Sequence, residues 1–161
     1  MRAPHLPHHV TMASAPYSVQ WLDEPEDHDY PAAGDYLALI ADGSTVDAIV
    51  SLLRTAPVVH KKAKDILRAA ALPLLPPDNP HVRTDLAKIL TGKSLSPILL
   101  VQGDLATGSP LQIADGYHRV CACYHTDENI PIPTKLAPMR DGRPLVPAKA
   151  KKAAGRAKPK K

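Results

Sequence analysis

Eighteen prolines interrupt this chain of 161 residues, and it contains no phenylalanine. Each proline fixes φ and removes a backbone donor, so the helices and strands between them must be short. The core has to be built from Leu, Ile, Val and Ala, with Trp21 and five tyrosines as the widest side chains, and it should be small. No apolar run approaches the roughly 20 residues needed to span a bilayer. The N-terminal Met-Arg-Ala-Pro-His-Leu-Pro-His-His lacks the apolar middle of a secretory signal. A cytoplasmic protein is the expectation, with nucleoid association open, and Met12 offers a second start. The length suits one modest domain with irregular ends.

Turn and cap signals divide that length. Residues 1–29 read as an irregular segment: His5, His8 and His9 lie among prolines, and the acidic run Asp23-Glu24-Pro25-Glu26-Asp27-His28-Asp29 follows. Residues 30–72 read as a helical region. A short helix begins at Pro31, and a second spans about 45–54 with Ser44 as N-cap and Val46, Ile49, Val50 and Leu53 at helical spacing. A third helix starts at Ala63 and carries Ile66, Leu67 and Ala70 on one face; the stretch 56–62 is ambiguous. Residues 73–139 begin with an extended Pro-rich connector, and Asn79 then caps a helix from Pro80 that points Val82, Leu86, Ile89 and Leu90 inward. Pro97-Ile-Leu-Leu-Val101 is a buried strand paired in a hairpin with 111–114, and a helix spans about 117–125. The two prolines in 130–137 restrict that stretch to an edge strand. The resulting class is α+β, a small mixed sheet with packed helices between disordered termini.

Charge is distributed unevenly. Residues 140–161 hold nine Lys and Arg against Asp141, whereas residues 1–139 hold eleven basic and fifteen acidic side chains. The tail residues Lys149, Lys151, Lys152, Arg156, Lys158, Lys160 and Lys161 would attract a phosphate backbone without sequence preference, with steep salt dependence. Without interleaved aromatics, no base stacking is expected. A merely solubilising tail fits the same composition. The acidic run 23–29 could hold divalent cations, stay solvated, or pair with the tail. Cys121 and Cys123 stand two apart on a helix and face different directions, so reduced thiols are expected rather than a disulfide.

Chemistry concentrates in Ile113-Ala-Asp-Gly-Tyr-His-Arg119, which reads as strand, glycine turn and helix start. The first N–H groups of a helix lack intrahelical partners and carry the positive end of its dipole, so they attract anions. Here Asp115 can cap the helix, ligate Mg²⁺ or pair with Arg119, and Gly116 allows a tight turn. His118 can donate to an oxyanion or move a proton near neutral pH, and Arg119 suits phosphate. The same residues also read as an Asp–Gly turn with an Arg119–Asp115 pair and a satisfied His118. His118, Cys121 and His125 share a helix face at spacings of three and four. A fourth zinc ligand is not evident, and packing accounts for Cys121.

From Leu74 to Leu136, about two-fifths of the chain, the sequence resembles the ParB N-terminal/sulfiredoxin-like superfamily. The shared order is Pro-Asp-Asn-Pro-His-Val, a helix, Leu-Ser-Pro-Ile-Leu-Leu-Val, a hairpin, Ile-Ala-Asp-Gly-Tyr-His-Arg-Val-Cys-Ala and Ile-Pro-Thr-Lys-Leu. The resemblance implies a nucleotide or other phosphorylated ligand at Asp115, Gly116, Tyr117, His118 and Arg119, with Mg²⁺ accompanying a nucleotide and His118 as the catalytic candidate for nucleoside triphosphate hydrolysis. Sulfiredoxins carry their reactive Cys just before the His-Arg pair, where this chain has Tyr117, so their reductase chemistry is disfavoured. The helix-turn-helix and dimerisation domains of a chromosome-partitioning ParB have no counterpart, only the basic tail. The alternative reading is therefore a non-enzymatic DNA-associated protein that binds through the tail. A ParB-like endonuclease ranks third, because no carboxylate cluster accompanies Asp115.

Overall fold

The computed structural model describes residues 18–148. Its helices are α1 (Asp29–Leu37), α2 (Gly43–Thr55), α3 (Ala63–Ala70), α4 (Pro80–Leu90) and α5 (Tyr117–Thr126). The strands are β1 (Val59–Lys62), β2 (Ile98–Val101), β3 (Gln112–Asp115), β4 (Pro131–Ala137), β5 (Met139–Arg140) and β6 (Arg143–Pro144). The class is α+β, and the main sheet is mixed, with strand order β1-β4-β2-β3. Only the β2–β4 pair is parallel; β1–β4 and β2–β3 are antiparallel.

Side-chain alternation along β2 explains the layers. Ile98 and Leu100 point to one face and join Ile66, Val82, Val120 and Ile132 beneath α3, α4 and α5. Leu99 and Val101 point to the other and join Tyr30, Leu37, Ile49 and Leu53 of α1 and α2. A strand covered on both faces has to be apolar at every position, which is why Ile-Leu-Leu-Val shows no period of two. Tyr30 takes the buried aromatic place, with the Arg54 guanidinium 4.4 Å above its ring.

Several local expectations need correction. Strand β4 is interior, not an edge. Its residue Ala137 accepts from Gln102 N at 3.0 Å, so the odd-numbered backbone groups face β2. The parallel register starts at Ile98↔Thr134, so Pro131 and Pro133 aim their missing N–H groups at a stretch that β2 does not reach. Both prolines pair with β1, opposite Lys62 and His60, from the side where no donor is lost. The helix after the Asp-Gly turn is capped by Asp42 and not by Ser44. The Asp42 carboxylate accepts from Thr45 N at 2.9 Å and Ser44 Oγ at 2.7 Å, and these bonds hold its carboxyl below the ordinary value. Leu90 faces solvent, one residue past the inward Ile89. The region 30–72 supplies strand β1 as well as helices, and residues 139–144 turn back as the β5–β6 hairpin instead of opening the tail. The Asn79 cap stands as expected, accepting from His81 N and Val82 N at 3.0 and 3.2 Å.

Among the described residues no helix is long and apolar enough to cross a membrane. The interior place of β4 has a measurable consequence, since Ile132 is fully buried. Ile132→Ala should lower stability in urea unfolding by about 2–5 kcal/mol, the cost of a core truncation. A loss within about 0.5 kcal/mol, as at surface positions, would return β4 to the edge.

Candidate functional site

Strand β3 delivers Asp115 to the edge of the turn, and Gly116 reverses the chain into α5 with φ +108°. A Cβ at Gly116 would lie 2.5 Å from Ile98 Cδ1 and 3.2 Å from Arg119 Nη2, so only glycine fits this position. The first helical bond of α5 runs from Val120 N to Gly116 O at 3.0 Å. The N–H groups of Tyr117, His118 and Arg119 precede that bond, and no side chain caps them. Asp115 is therefore not the N-cap. Its carboxylate turns to Arg119.

The expected free guanidinium is committed to internal partners. Arg119 Nη2 donates to Asp115 Oδ2 and lies 3.9 Å from Asp29 Oδ1, while Nη1 donates to Ser96 O at 2.5 Å. Its side chain is only 13% exposed. Asp29 is itself buried and is fixed through Oδ2, which accepts from Ser96 Oγ and from Glu26 N at 3.0 Å. Burial pushes the Asp115 carboxyl above its ordinary value; Arg119 opposes this shift and Asp29 adds to it. The Arg–Asp pair foreseen as the alternative for this turn is what the structure contains.

A polar hollow of about 240 Å³ nevertheless opens at the turn, between α4 and the start of α5. Asp115, Gly116, Tyr117, His118 and Arg119 all line it. Across from them stand His81, Thr84, Asp85 and Lys88, which the sequence reading did not single out. Their spacing of three and four along α4 marks one helix face. That polar stripe, beside the inward Val82 and Ile89, was the available signal. Lys88 Nζ lies 3.3 Å from Asp85 Oδ1. The rings of His81 and His118 stand 4.7 Å apart, tilted by 42°. Burial lowers the His118 imidazole below its ordinary value, the neighbouring His81 lowers it further, and Asp85 opposes them. Tyr117 is held by its hydroxyl, which donates to Pro73 O at 2.6 Å.

The remaining singled-out residues are placed as follows. Cys121 and Cys123 are free and buried; burial raises both thiols, that of Cys123 to about 12. His125 Nε2 lies 2.7 Å from Leu75 O, so His118, Cys121 and His125 do not converge on a point. Among the described residues, the one group of three His, Cys or acidic side chains with converging ligand atoms is Glu26, His28 and Asp29. A larger and more apolar hollow of about 360 Å³, lined by Leu37, Ile49, Val101 and Met139 among others, contains none of the motif residues. His5, His8, His9 and the tail residues Lys149, Lys151, Lys152, Arg156, Lys158, Lys160 and Lys161 lie outside the described residues.

Two measurements check this geometry. Gly116→Ala should cost about 2–4 kcal/mol in chemical unfolding, combining a left-handed backbone with the clash against Ile98; a neutral result would contradict the turn. In an NMR titration the His118 ring should lose its proton below the ordinary midpoint of about 6.5, and His81→Ala should move that midpoint up. Because the folded state holds this proton less tightly than the unfolded chain, the His118 contribution to stability declines as pH falls through the ordinary imidazole range. No protein-family model, no curated protein and no solved structure matches this chain.

Proposed function

We propose that the protein binds a phosphorylated small molecule, with nucleotides in the candidate class, in the hollow between α4 and the start of α5. The observation that carries this reading is the polar hollow of about 240 Å³ lined by Tyr117, His118 and Arg119, the residues whose N–H groups precede the first helical bond of α5. A helix N-terminus with aligned N–H donors and a positive dipole end favours an anion of this kind. Lys88, His81 and His118 add donors around the same space. The resemblance of residues 115–119 to the nucleotide-phosphate loop of the ParB N-terminal/sulfiredoxin-like superfamily points the same way.

The division of labour differs from a simple arginine clamp. Arg119 holds Asp115 and the β2 approach in place, so its role is to position the turn. The anion is met by backbone N–H groups, Lys88 and the two imidazoles. His118 is the side chain placed to stabilise charge on a leaving phosphate, should the ligand be a nucleoside triphosphate.

Isothermal titration with inorganic phosphate, ribose 5-phosphate and a set of nucleoside mono- and triphosphates tests the reading. Binding of at least one of these should weaken about tenfold in Lys88→Ala and in His118→Ala, a change of about 1.4 kcal/mol. It should strengthen as pH falls and the His118 imidazole gains charge. Absence of heat with every ligand, or affinity unchanged from the unsubstituted chain in either variant, would reject the site.

A further inference from the structure

The larger, more apolar hollow lies on the other face of the sheet from α5, and the reading above does not use it. We propose that it binds a small organic cation with an aliphatic body, an amine or guanidine carried on a short apolar chain. Its volume of about 360 Å³ falls at the lower end of the range typical of small-molecule sites. The floor is apolar: Leu37, Ile49 and Val101 belong to the core cluster under α1 and α2, and Met139 packs against it. Ile40 lines the same space with 57% of its surface exposed, apolar area that a bound alkyl chain would cover.

Three ties hold the walls in place. Tyr36 Oη donates to Gln112 Oε1 at 2.5 Å and joins α1 to β3. Met139 N donates to Gln102 Oε1 at 3.0 Å and joins the β5–β6 hairpin to the end of β2. The β2–β3 loop closes on itself where Asp104 N donates to Ser109 O at 2.9 Å, and a Cβ at Gly103 would lie 2.5 Å from that same oxygen. A pre-formed site loses less freedom on binding than one that must first be ordered. Charge then selects the guest. The charged side chains lining the hollow are Asp104 and Asp141, and no Lys, Arg or His lines it. Among the described residues neither carboxylate is in an ion pair. Arg140, which lines an adjoining hollow with both acids, pairs with neither. Asp104 Oδ1 accepts from Ala106 N at 2.8 Å, which leaves Oδ2 for a guest. The start of α2, where Thr45 reaches the hollow, is no anion site, because the Asp42 carboxylate already accepts from Thr45 N at 2.9 Å. Two uncompensated carboxylates beside an apolar floor match the pattern of a lysine side chain, a positive head on an aliphatic stem.

Titration of the full chain with n-hexylammonium, followed by calorimetry and by the methyl NMR signals of Ile40, Ile49 and Met139, tests the proposal. Those signals should shift together and saturate at a single equivalent. Affinity should rise about fourfold for each CH₂ added from butyl- to hexylammonium, as the stem covers more of the floor. Hexanoate, of like length and opposite charge, should bind at least about tenfold more weakly. The double variant Asp104→Asn, Asp141→Asn should weaken hexylammonium about tenfold. Its circular dichroism spectrum should not change, since Asn keeps the bond to Ala106 N and tolerates the φ of +49° at Asp141. No binding of hexylammonium, hexanoate bound as tightly, affinity independent of chain length, or affinity unchanged in the double variant would each overturn it. The Lys and Arg tail carries the same chemistry. The methyl spectrum of the full chain is therefore compared, before amine is added, with that of a chain carrying Lys149→Gln, Lys151→Gln, Lys152→Gln and Arg156→Gln. Identical spectra are expected; a difference at Met139 would assign the hollow to the tail and overturn the proposal. His118→Ala should leave hexylammonium affinity unchanged, which separates failure here from failure of the phosphate site.

Discussion

The Arg119 guanidinium ties together stretches of chain that are far apart in sequence. It reaches Asp115 at the end of β3, the carbonyls of Ser96 and Pro97 before β2, and Asp29 at the start of α1. Desolvating an arginine costs several kcal/mol and is offset only when its donors are well matched. Here the donors meet a carboxylate and backbone carbonyls in a partly buried setting. Without this cation, two carboxylates with little exposure would confront each other, a situation that costs about 3–5 kcal/mol when a buried pair is broken. The sheet, the turn and the first helix therefore share one electrostatic fastening.

That fastening also sets the character of the surface on either side. Asp115, neutralised by Arg119, no longer opposes the positive end of the α5 dipole, and the adjoining hollow is lined by the first residues of α5, Lys88 and two imidazoles. On the far side Asp29 receives only a distant share of the guanidinium, and a second hollow is rich in carboxylate. The Asp85–Lys88 pair lines both. One clamp thus separates two polar hollows of different lining, with little intervening structure.

Much of the framework was legible in the sequence because it rests on local rules. The Asn79 cap with Pro80 behind it, the apolar β2 run, the hairpin to β3 and the glycine before α5 each carry their own signal. The failures are non-local. Pro131 and Pro133 argue against an interior strand unless one knows that β2 starts opposite Thr134, and register is invisible in one sequence. Strand β1 reads Val-His-Lys-Lys, a polar run that becomes a strand only because β4 offers it an edge. Asp42 displaced Ser44 as the cap because a carboxylate there reaches the Thr45 N–H and both neighbouring hydroxyls. Arg119 was recognisable as either a phosphate ligand or an ion-pair partner. The deciding groups, Ser96, Pro97 and Asp29, lie 22 to 90 residues away from it.

The structure also changes how much function the Asp-Gly-Tyr-His-Arg run can encode. Gly116 is required by its left-handed backbone and by Ile98. Asp115 and Arg119 are required by each other, and Tyr117 bonds Pro73 O. Each of these four would be held in place by folding alone, so a match to a phosphate-loop pattern at those positions is weak support for ligand binding. His118 is different. Its ring faces the hollow and packs on His81, and no hydrogen bond within the described residues accounts for it. The specific functional information in the motif therefore reduces to one imidazole and the N–H groups beside it. The other half of any binding site has to come from the polar face of α4.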